Sequence, residues 1–164
     1  MNGGNRPADE GTGFATKEGQ QMILPDTEDT DTAPFWAAAR DKRLVVQKCN
    51  GCGMLRFPPR PYCGACRSAD MSWKDMSGRG KLWSFVVVHN PTMPDFADKV
   101  PFPVIVVELD DAPGIRMTGN IVAKPGAAIN SVDPKTLQIG APLQVTFQPM
   151  ADDVTLPYWT LVSP

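Results

Sequence analysis

The chain has 164 residues, of which 42% are hydrophobic and 21% charged, and it carries a formal net charge of -2. This length and composition suit a compact domain, or a small domain with an appendage, and exclude a globally basic protein that attracts nucleic acid or anionic lipid through its net charge. No apolar run approaches the roughly 20 residues of a membrane span, and no apolar signal segment follows Met1, so we expect a cytoplasmic protein without membrane contact.

The start of the chain divides into an arm and a short helix. Residues 1–32 are rich in Gly, Asp, Thr, Glu and Gln, which predicts a flexible N-terminal arm. An early proline and three consecutive alanines predict a helix over 33–41, with Thr32 as its N-cap. Phe35 and Trp36 give this helix an apolar stripe, which packs either on the protein's own core or on another subunit.

Two short strands, 44–48 and 71–75, flank a segment that contains all four cysteines. Between the cysteine pairs, residues 57–62 read Phe-Pro-Pro-Arg-Pro-Tyr, a sequence that excludes helix and predicts an extended connection. We therefore assign 33–76 to a helix followed by a ribbon-like unit.

Closely spaced strands follow from Gly78 onward. The absence of helix–strand alternation predicts a small antiparallel barrel over 77–164, and the five-stranded oligonucleotide/oligosaccharide-binding (OB) fold is one such barrel. Alternation along the first strand places Trp83 and Phe85 on one face. The predicted strands are 81–89, 104–110, 115–122, 143–150 and 158–162, with a proline-bounded loop at 90–103 and one helical turn within 124–142.

The cysteines follow the spacing Cys-x2-Cys-x10-Cys-x2-Cys, at Cys49, Cys52, Cys63 and Cys66. Each pair can curl so that both sulfurs face one point, and two such knuckles supply a tetrahedral four-thiolate site. Four sulfurs without redox demands favour Zn²⁺, although iron takes the same ligands. The closed shell leaves no position for a reacting water, so the metal is expected to be structural. Three basic residues lie close enough in sequence to offset the excess thiolate charge: Lys48, Arg56 and Arg67.

Other candidate chemistry is weaker. His89 is the sole histidine, and no Ser–His–Asp set can be assembled around it, so no catalytic residue is assigned. An OB barrel could bind single-stranded nucleic acid, but the predicted second and third barrel strands carry no aromatic ladder. A free-standing nucleic-acid binder and a zinc hydrolase stay as alternatives.

The order of these motifs resembles the DUF35 family of acyl-CoA-associated zinc-ribbon and OB-fold proteins. The resemblance covers about 33–162. It rests on the Phe35-Trp36 helix, the two cysteine pairs around 57–62, the segment from Gly78 to Val88, and the strand that begins Pro101-Phe-Pro-Val.

The resemblance implies a mainly β fold with an N-terminal helical segment, a rubredoxin-like zinc ribbon and a C-terminal OB barrel. It implies a non-catalytic subunit that docks on a thiolase-superfamily enzyme, in a two-plus-two heterotetramer, and shares that enzyme's acyl-CoA substrate. The reaction would be retro-aldol cleavage of a side-chain acyl-CoA, as in steroid metabolism, or Claisen-type acyl transfer. Candidate interface residues are Phe35, Trp36, Phe57, Tyr62, Phe96 and Phe102, the last two within a loop expected to cover the partner's active-site entrance.

Overall fold

The computed structural model describes residues 24–90 and 93–162 of the chain. Two single 3-10 turns lie at Pro94–Phe96 and Pro134–Thr136, the second being the helical turn predicted within 124–142. The described residues contain no helix with the length and apolarity of a membrane span. The regular elements are α1 (Ala33–Arg40), β1 (Leu44–Cys49), β2 (Leu55–Arg56), β3 (Met71–Met76), β4 (Arg79–Val88), β5 (Phe102–Leu109), β6 (Arg116–Asn120), β7 (Pro142–Pro149) and β8 (Thr155–Leu161).

Thr32 lies at the predicted N-cap position, but Asp29 supplies the side-chain acceptor beside it. Thr32 makes no side-chain cap, because it already has helical backbone angles. Its hydroxyl and its N–H both donate to Asp29 Oδ1, at 3.2 and 3.1 Å. The carbonyl of Asp29 also accepts from Ala33 N at 2.7 Å. Asp29 therefore accepts from the first N–H of α1 and from both donors of Thr32.

Part of the predicted N-terminal arm makes defined contacts. Residues 1–23 lie outside the described residues, whereas 24–32 lead directly into α1. Thr27 Oγ1 donates to Asp153 Oδ2 at 3.3 Å, which ties this segment to the turn between β7 and β8.

The cysteine-bearing unit is a three-stranded antiparallel sheet in the order β2-β1-β3. The β1–β3 register runs from Leu44 opposite Met76 to Cys49 opposite Met71. Leu44 and Met76 are buried in the main core, so this end of the sheet is the ribbon base. The cysteine turns stand at the other end.

The second sheet has five strands in the order β6-β5-β4-β7-β8, with antiparallel neighbours throughout. Its two outer strands are brought together just beyond β6, where Ile121 forms a parallel bridge with Trp159. Val122 N donates to Trp159 O at 2.8 Å across the same contact. The predicted five-stranded barrel is thus confirmed and nearly closed.

A β-bulge corrects the expected facing of two aromatic residues. Leu82 pairs with Val107 and Ser84 pairs with Val106, so Trp83 is an extra residue in β4. An extra residue shifts the alternation by one position. Phe85 packs against the core, whereas Trp83 stays 48% exposed, and the prediction that they share a face is wrong.

One hydrophobic core joins the helix, the ribbon base and the barrel. Phe35, Val46 and Trp159 belong to the same buried cluster, so burial of apolar surface couples the ribbon to the barrel. A second, smaller cluster contains Phe102 and Tyr158, with Phe96 packed against it. That cluster holds the described part of the predicted 90–103 loop against the barrel.

Candidate metal centre and its supporting network

The two cysteine turns share one backbone pattern. In the first, Gly53 N donates to Cys49 O at 2.8 Å, and in the second, Arg67 N donates to Cys63 O at 2.9 Å. The donor residue has a left-handed backbone in both turns, with φ of 77° at Gly53 and 60° at Arg67. Each turn therefore brings its own two thiols to one side, as the Cys-x-x-Cys spacing predicts.

The structure brings the four thiols together. Their Sγ atoms all lie within 4.8 Å of one another, with 3.5 Å between Cys49 and Cys66 and 3.6 Å between Cys52 and Cys63. Sulfurs bound tetrahedrally at about 2.3 Å from a zinc ion lie about 3.8 Å apart. The donor set and its spacing thus fit one four-coordinate metal ion. Cys49 and Cys63 are buried, and Cys52 and Cys66 are exposed.

The electrostatics of the cluster favour a cation at its centre. Backbone N–H groups of Cys66 and Ala65 donate to Cys63 and lower the pKa of its thiol to about 6. At Cys52 the backbone of Met54 lowers the pKa, but the thiols of Cys66 and Cys63 outweigh it and raise the pKa to about 12. Neighbouring thiolates repel each other, so all four sulfurs can ionise together only around a positive ion.

A polar network supports the segment between the cysteine pairs. Gln47 is 6% exposed, and its Oε1 accepts from Arg56 Nη2 at 2.7 Å, Arg56 Nε at 3.2 Å and Arg60 N at 3.0 Å. Arg56 Nη2 also donates to Arg60 O at 3.0 Å, and Arg56 Nη1 donates to Tyr62 O. This Gln47–Arg56 clamp fixes the main chain of the proline-rich connection from both sides.

The sequence does not predict this clamp. The sequence predicts that Arg56 offsets the thiolate charge, and the structure adds that its guanidinium forms the clamp. The available signal is Gln47 itself, a polar residue in the otherwise apolar run that begins β1. Buried polar side chains require partners, so such a residue indicates a network.

The six predicted interface residues differ in exposure. Phe35 and Phe102 are 5% and 6% exposed and contribute to the two core clusters. Phe35 packs within 4.9 Å of Trp36 and 5.4 Å of Phe57, measured between ring centroids. Tyr62 is 64% exposed. The half-buried members are Trp36, Phe57 and Phe96.

Trp83, at the bulge, has a role that strand alternation alone does not predict. The guanidinium carbon of Arg116 lies 3.9 Å from the centroid of the Trp83 ring, and Arg116 Nε donates to Glu108 Oε2 at 2.8 Å. The sole histidine, His89, is exposed just after the end of β4.

Family models match two consecutive segments of the chain. Residues 36–72 match the ChsH2 rubredoxin-like zinc ribbon domain, and residues 73–148 match the ChsH2 C-terminal OB-fold domain. The first segment contains the four-sulfur cluster, and the second contains most of the barrel.

Similar proteins include both subunits and scaffolds. A probable enoyl-CoA hydratase alpha subunit of Thermomonospora curvata is 34% identical over 127 residues, which are 77% of this chain and 36% of that protein. This chain therefore spans little more than a third of that relative. A DUF35 domain-containing scaffold protein of Methanothermobacter thermautotrophicus is 30% identical over 126 residues, which are 76% of this chain and 86% of the scaffold.

A solved structure described as the "Ltp2-ChsH2(DUF35) aldolase" contains a similar chain. The TM-score is 0.71 at 31% sequence identity, and the match covers 84% of this chain and 98% of that chain.

Proposed function

Since the chain belongs to the DUF35 family of zinc-ribbon and OB-fold proteins, we propose that it is a non-catalytic accessory subunit of an acyl-CoA enzyme. The observation that carries the proposal is the match to the DUF35 chain of the solved aldolase, 98% of which this chain covers. The proposal is supported by the names of the hydratase relative and of the solved aldolase, which refer to an enoyl-CoA hydratase and to an aldolase.

The partner in this proposal is a thiolase-superfamily protein that holds the catalytic residues. Two copies of this chain dock on a dimer of the partner, and the complex acts on an acyl-CoA by retro-aldol cleavage or Claisen-type acyl transfer. The aldolase name of the solved relative favours the retro-aldol reaction.

The metal in this proposal is Zn²⁺, held by Cys49, Cys52, Cys63 and Cys66. When bound, it would supply a cross-link between the two cysteine turns and neutralise part of the thiolate charge. The four cysteines would fill a tetrahedral shell around the ion, so this chain would offer no open coordination position to a substrate. The ribbon is then a docking element whose shape depends on the metal.

Co-expression with each thiolase-fold protein of the source genome tests the assignment. We expect one of them to elute together with this chain in gel filtration, with a light-scattering mass for two copies of each, and acyl-CoA cleavage only by the complex. Separate elution of the folded proteins in every pairing would contradict the accessory role. Full activity of this chain alone, lost on metal removal, would favour the zinc-hydrolase alternative.

A further inference from the structure

Basic side chains outnumber acidic ones in the helix and ribbon together. Residues 33–76 contain eight Lys or Arg and three Asp, so they keep a net positive charge even with the formal charge of -2 that Zn²⁺ and four thiolates would carry, although the whole chain has a net charge of -2. All but one of the eight are exposed, the half-buried Arg56 being the exception. The ion pairs of the described residues involve Arg43, beside the ribbon base, and Arg116 of the barrel. The cations near the cysteine turns make none of these pairs.

Five exposed side chains define what we call the ribbon tip. Lys48 precedes the first cysteine, and Arg60 and Arg67 flank the second cysteine pair. Tyr62 and Met54 add apolar surface that is 64% and 45% exposed. Tyr, Met and Arg are the residue types enriched in protein–protein interfaces, and clustered Tyr and Arg are common hot spots there.

The tip is preorganised by the Gln47–Arg56 clamp. Both the N–H and the carbonyl of Arg60 are hydrogen-bonded to it, as is the carbonyl of Tyr62. The main chain under these two exposed side chains is therefore fixed before any partner binds. A surface whose backbone is already ordered loses less entropy on association.

Arg67 closes the second cysteine turn in a backbone conformation that favours glycine. Gly53 occupies the equivalent position of the first cysteine turn, with φ of 77°, and glycine adopts that conformation without steric cost. Arg67 adopts φ of 60° with a full side chain, which costs free energy in the folded chain. Its exposed guanidinium makes no ion pair within the described residues. The strained residue thus contributes positive charge that is directed to the surface of the tip.

We propose that the ribbon tip docks on an acidic surface of the partner protein, with Arg60 and Arg67 facing its carboxylates and Tyr62 packing among them. This inference rests on the proposed accessory function and names the contact surface. A protein is favoured over nucleic acid because Met54 and Tyr62 expose apolar surface and because the whole chain has a net charge of -2. Repulsion from a negatively charged chain opposes a long polyanion more than a localised acidic patch.

The test compares two double variants with the same change of net charge. Arg60→Glu/Arg67→Glu reverses the charge of two side chains at the tip. Lys124→Glu/Lys135→Glu reverses the charge of two exposed lysines of the barrel. The dissociation constant for the co-expressed thiolase-fold protein is measured at 50 and 300 mM NaCl, with metal content and melting temperature as folding controls. We expect the tip variant to bind about tenfold or more weakly, with reduced salt dependence, and the barrel variant to bind within about twofold of wild type.

A single variant keeps the test informative if the double reversal fails to fold. Arg67→Gly removes the charge and suits the left-handed backbone, so the protein should fold at least as stably while its affinity for the partner falls severalfold. Equal affinities of the tip and barrel variants would overturn the ribbon-tip inference and leave the accessory function standing.

Two further outcomes separate the proposals. If wild-type protein fails to bind the thiolase-fold protein, the proposed function fails and this inference falls with it. Tip-dependent binding of a 30-nucleotide single-stranded DNA at low salt, with no effect of the tip variant on protein binding, would reassign the surface to nucleic acid.

Discussion

Gln47 and Arg56 face each other across β1 and β2, and the buried Gln47 Oε1 accepts two hydrogen bonds from the guanidinium of Arg56, at 2.7 and 3.2 Å. The same guanidinium continues to the carbonyls of Arg60 and Tyr62. This pair of side chains therefore links the interior of the ribbon sheet to the exposed proline-rich segment between the two cysteine pairs.

Arg56→Ala should destabilise the zinc-loaded protein by about 1–3 kcal/mol, because Gln47 keeps one of its three donors and two carbonyls lose theirs. Urea unfolding measures the loss. The matched control is Arg60→Ala, whose contribution to the clamp comes from its backbone, and it should stay within about 0.5 kcal/mol of wild type. Equal effects of the two substitutions would show that the clamp contributes nothing specific.

Substitution of two glycines in the cysteine turns distinguishes the effect of backbone strain from that of packing. A Cβ at either Gly53 or Gly64 meets nothing within 4 Å, but only Gly53 has a positive φ, 77°. Gly53→Ala should cost about 1 kcal/mol through strain alone, whereas Gly64→Ala should be neutral or slightly stabilising. Chemical unfolding of both variants decides. If Gly64→Ala lowered the free energy of unfolding as much as Gly53→Ala does, a cause other than backbone strain would be indicated.

Cys49→Ser removes a buried member of the sulfur cluster. We expect metal content near one Zn²⁺ per chain in wild type, measured by elemental analysis, and a loss of metal, cooperative unfolding and partner binding together in the variant. Ala65→Ser, which places a hydroxyl on the exposed second turn without removing a thiol, should retain all three. If activity of the complex fell while fold and complex persisted, the closed-shell interpretation would be wrong. Iron in the elemental analysis would exclude zinc as the native ion.

Alkaline pH should lower the free energy of unfolding, because Tyr158 in the second core cluster loses its proton. Burial raises the pKa of this phenol above its ordinary value of 10.0, so the folded state holds the proton more tightly than the unfolded chain. The contribution to stability is complete below pH 10 and is lost as the pH rises through the folded-state pKa.

Free energies of unfolding measured from pH 8 to 11 should therefore decline less steeply in Tyr158→Phe than in wild type. Tyr62 is the other tyrosine and is 64% exposed, so Tyr62→Phe is the control and should keep the wild-type slope. If the free energy of unfolding declined with pH at the same rate in all three proteins, Tyr158 would not be the cause of the decline.

Local sequence is sufficient for features that depend on neighbouring residues. The Cys-x2-Cys spacing determines a turn whatever the rest of the chain does, and this spacing alone identifies Cys49, Cys52, Cys63 and Cys66 as one cluster. Short runs of apolar, aromatic and β-branched residues between turn residues likewise predict all five barrel strands, with boundaries displaced by a few residues.

Features that depend on distant pairing are decided only in three dimensions. The bulge at Trp83 exists because β4 must match β5 on both sides of it, and no local pattern in β4 reveals that mismatch. Phe35 and Phe102 have the sequence character of interface anchors, yet both are buried in the core clusters. Their burial depends on contacts between segments far apart in the chain.

The sequence by itself determined that four cysteines with the spacing of metal ligands precede a small barrel, because short-range spacing and strand propensity are local properties. Only the tertiary structure decided which polar residues serve the fold and which face outward. Arg56 and Arg67 are the same residue type near the same cluster, yet the first is bound to Gln47 and the second is exposed at the ribbon tip. That difference is one of position, since hydrogen bonds and burial are set by which residues meet after folding.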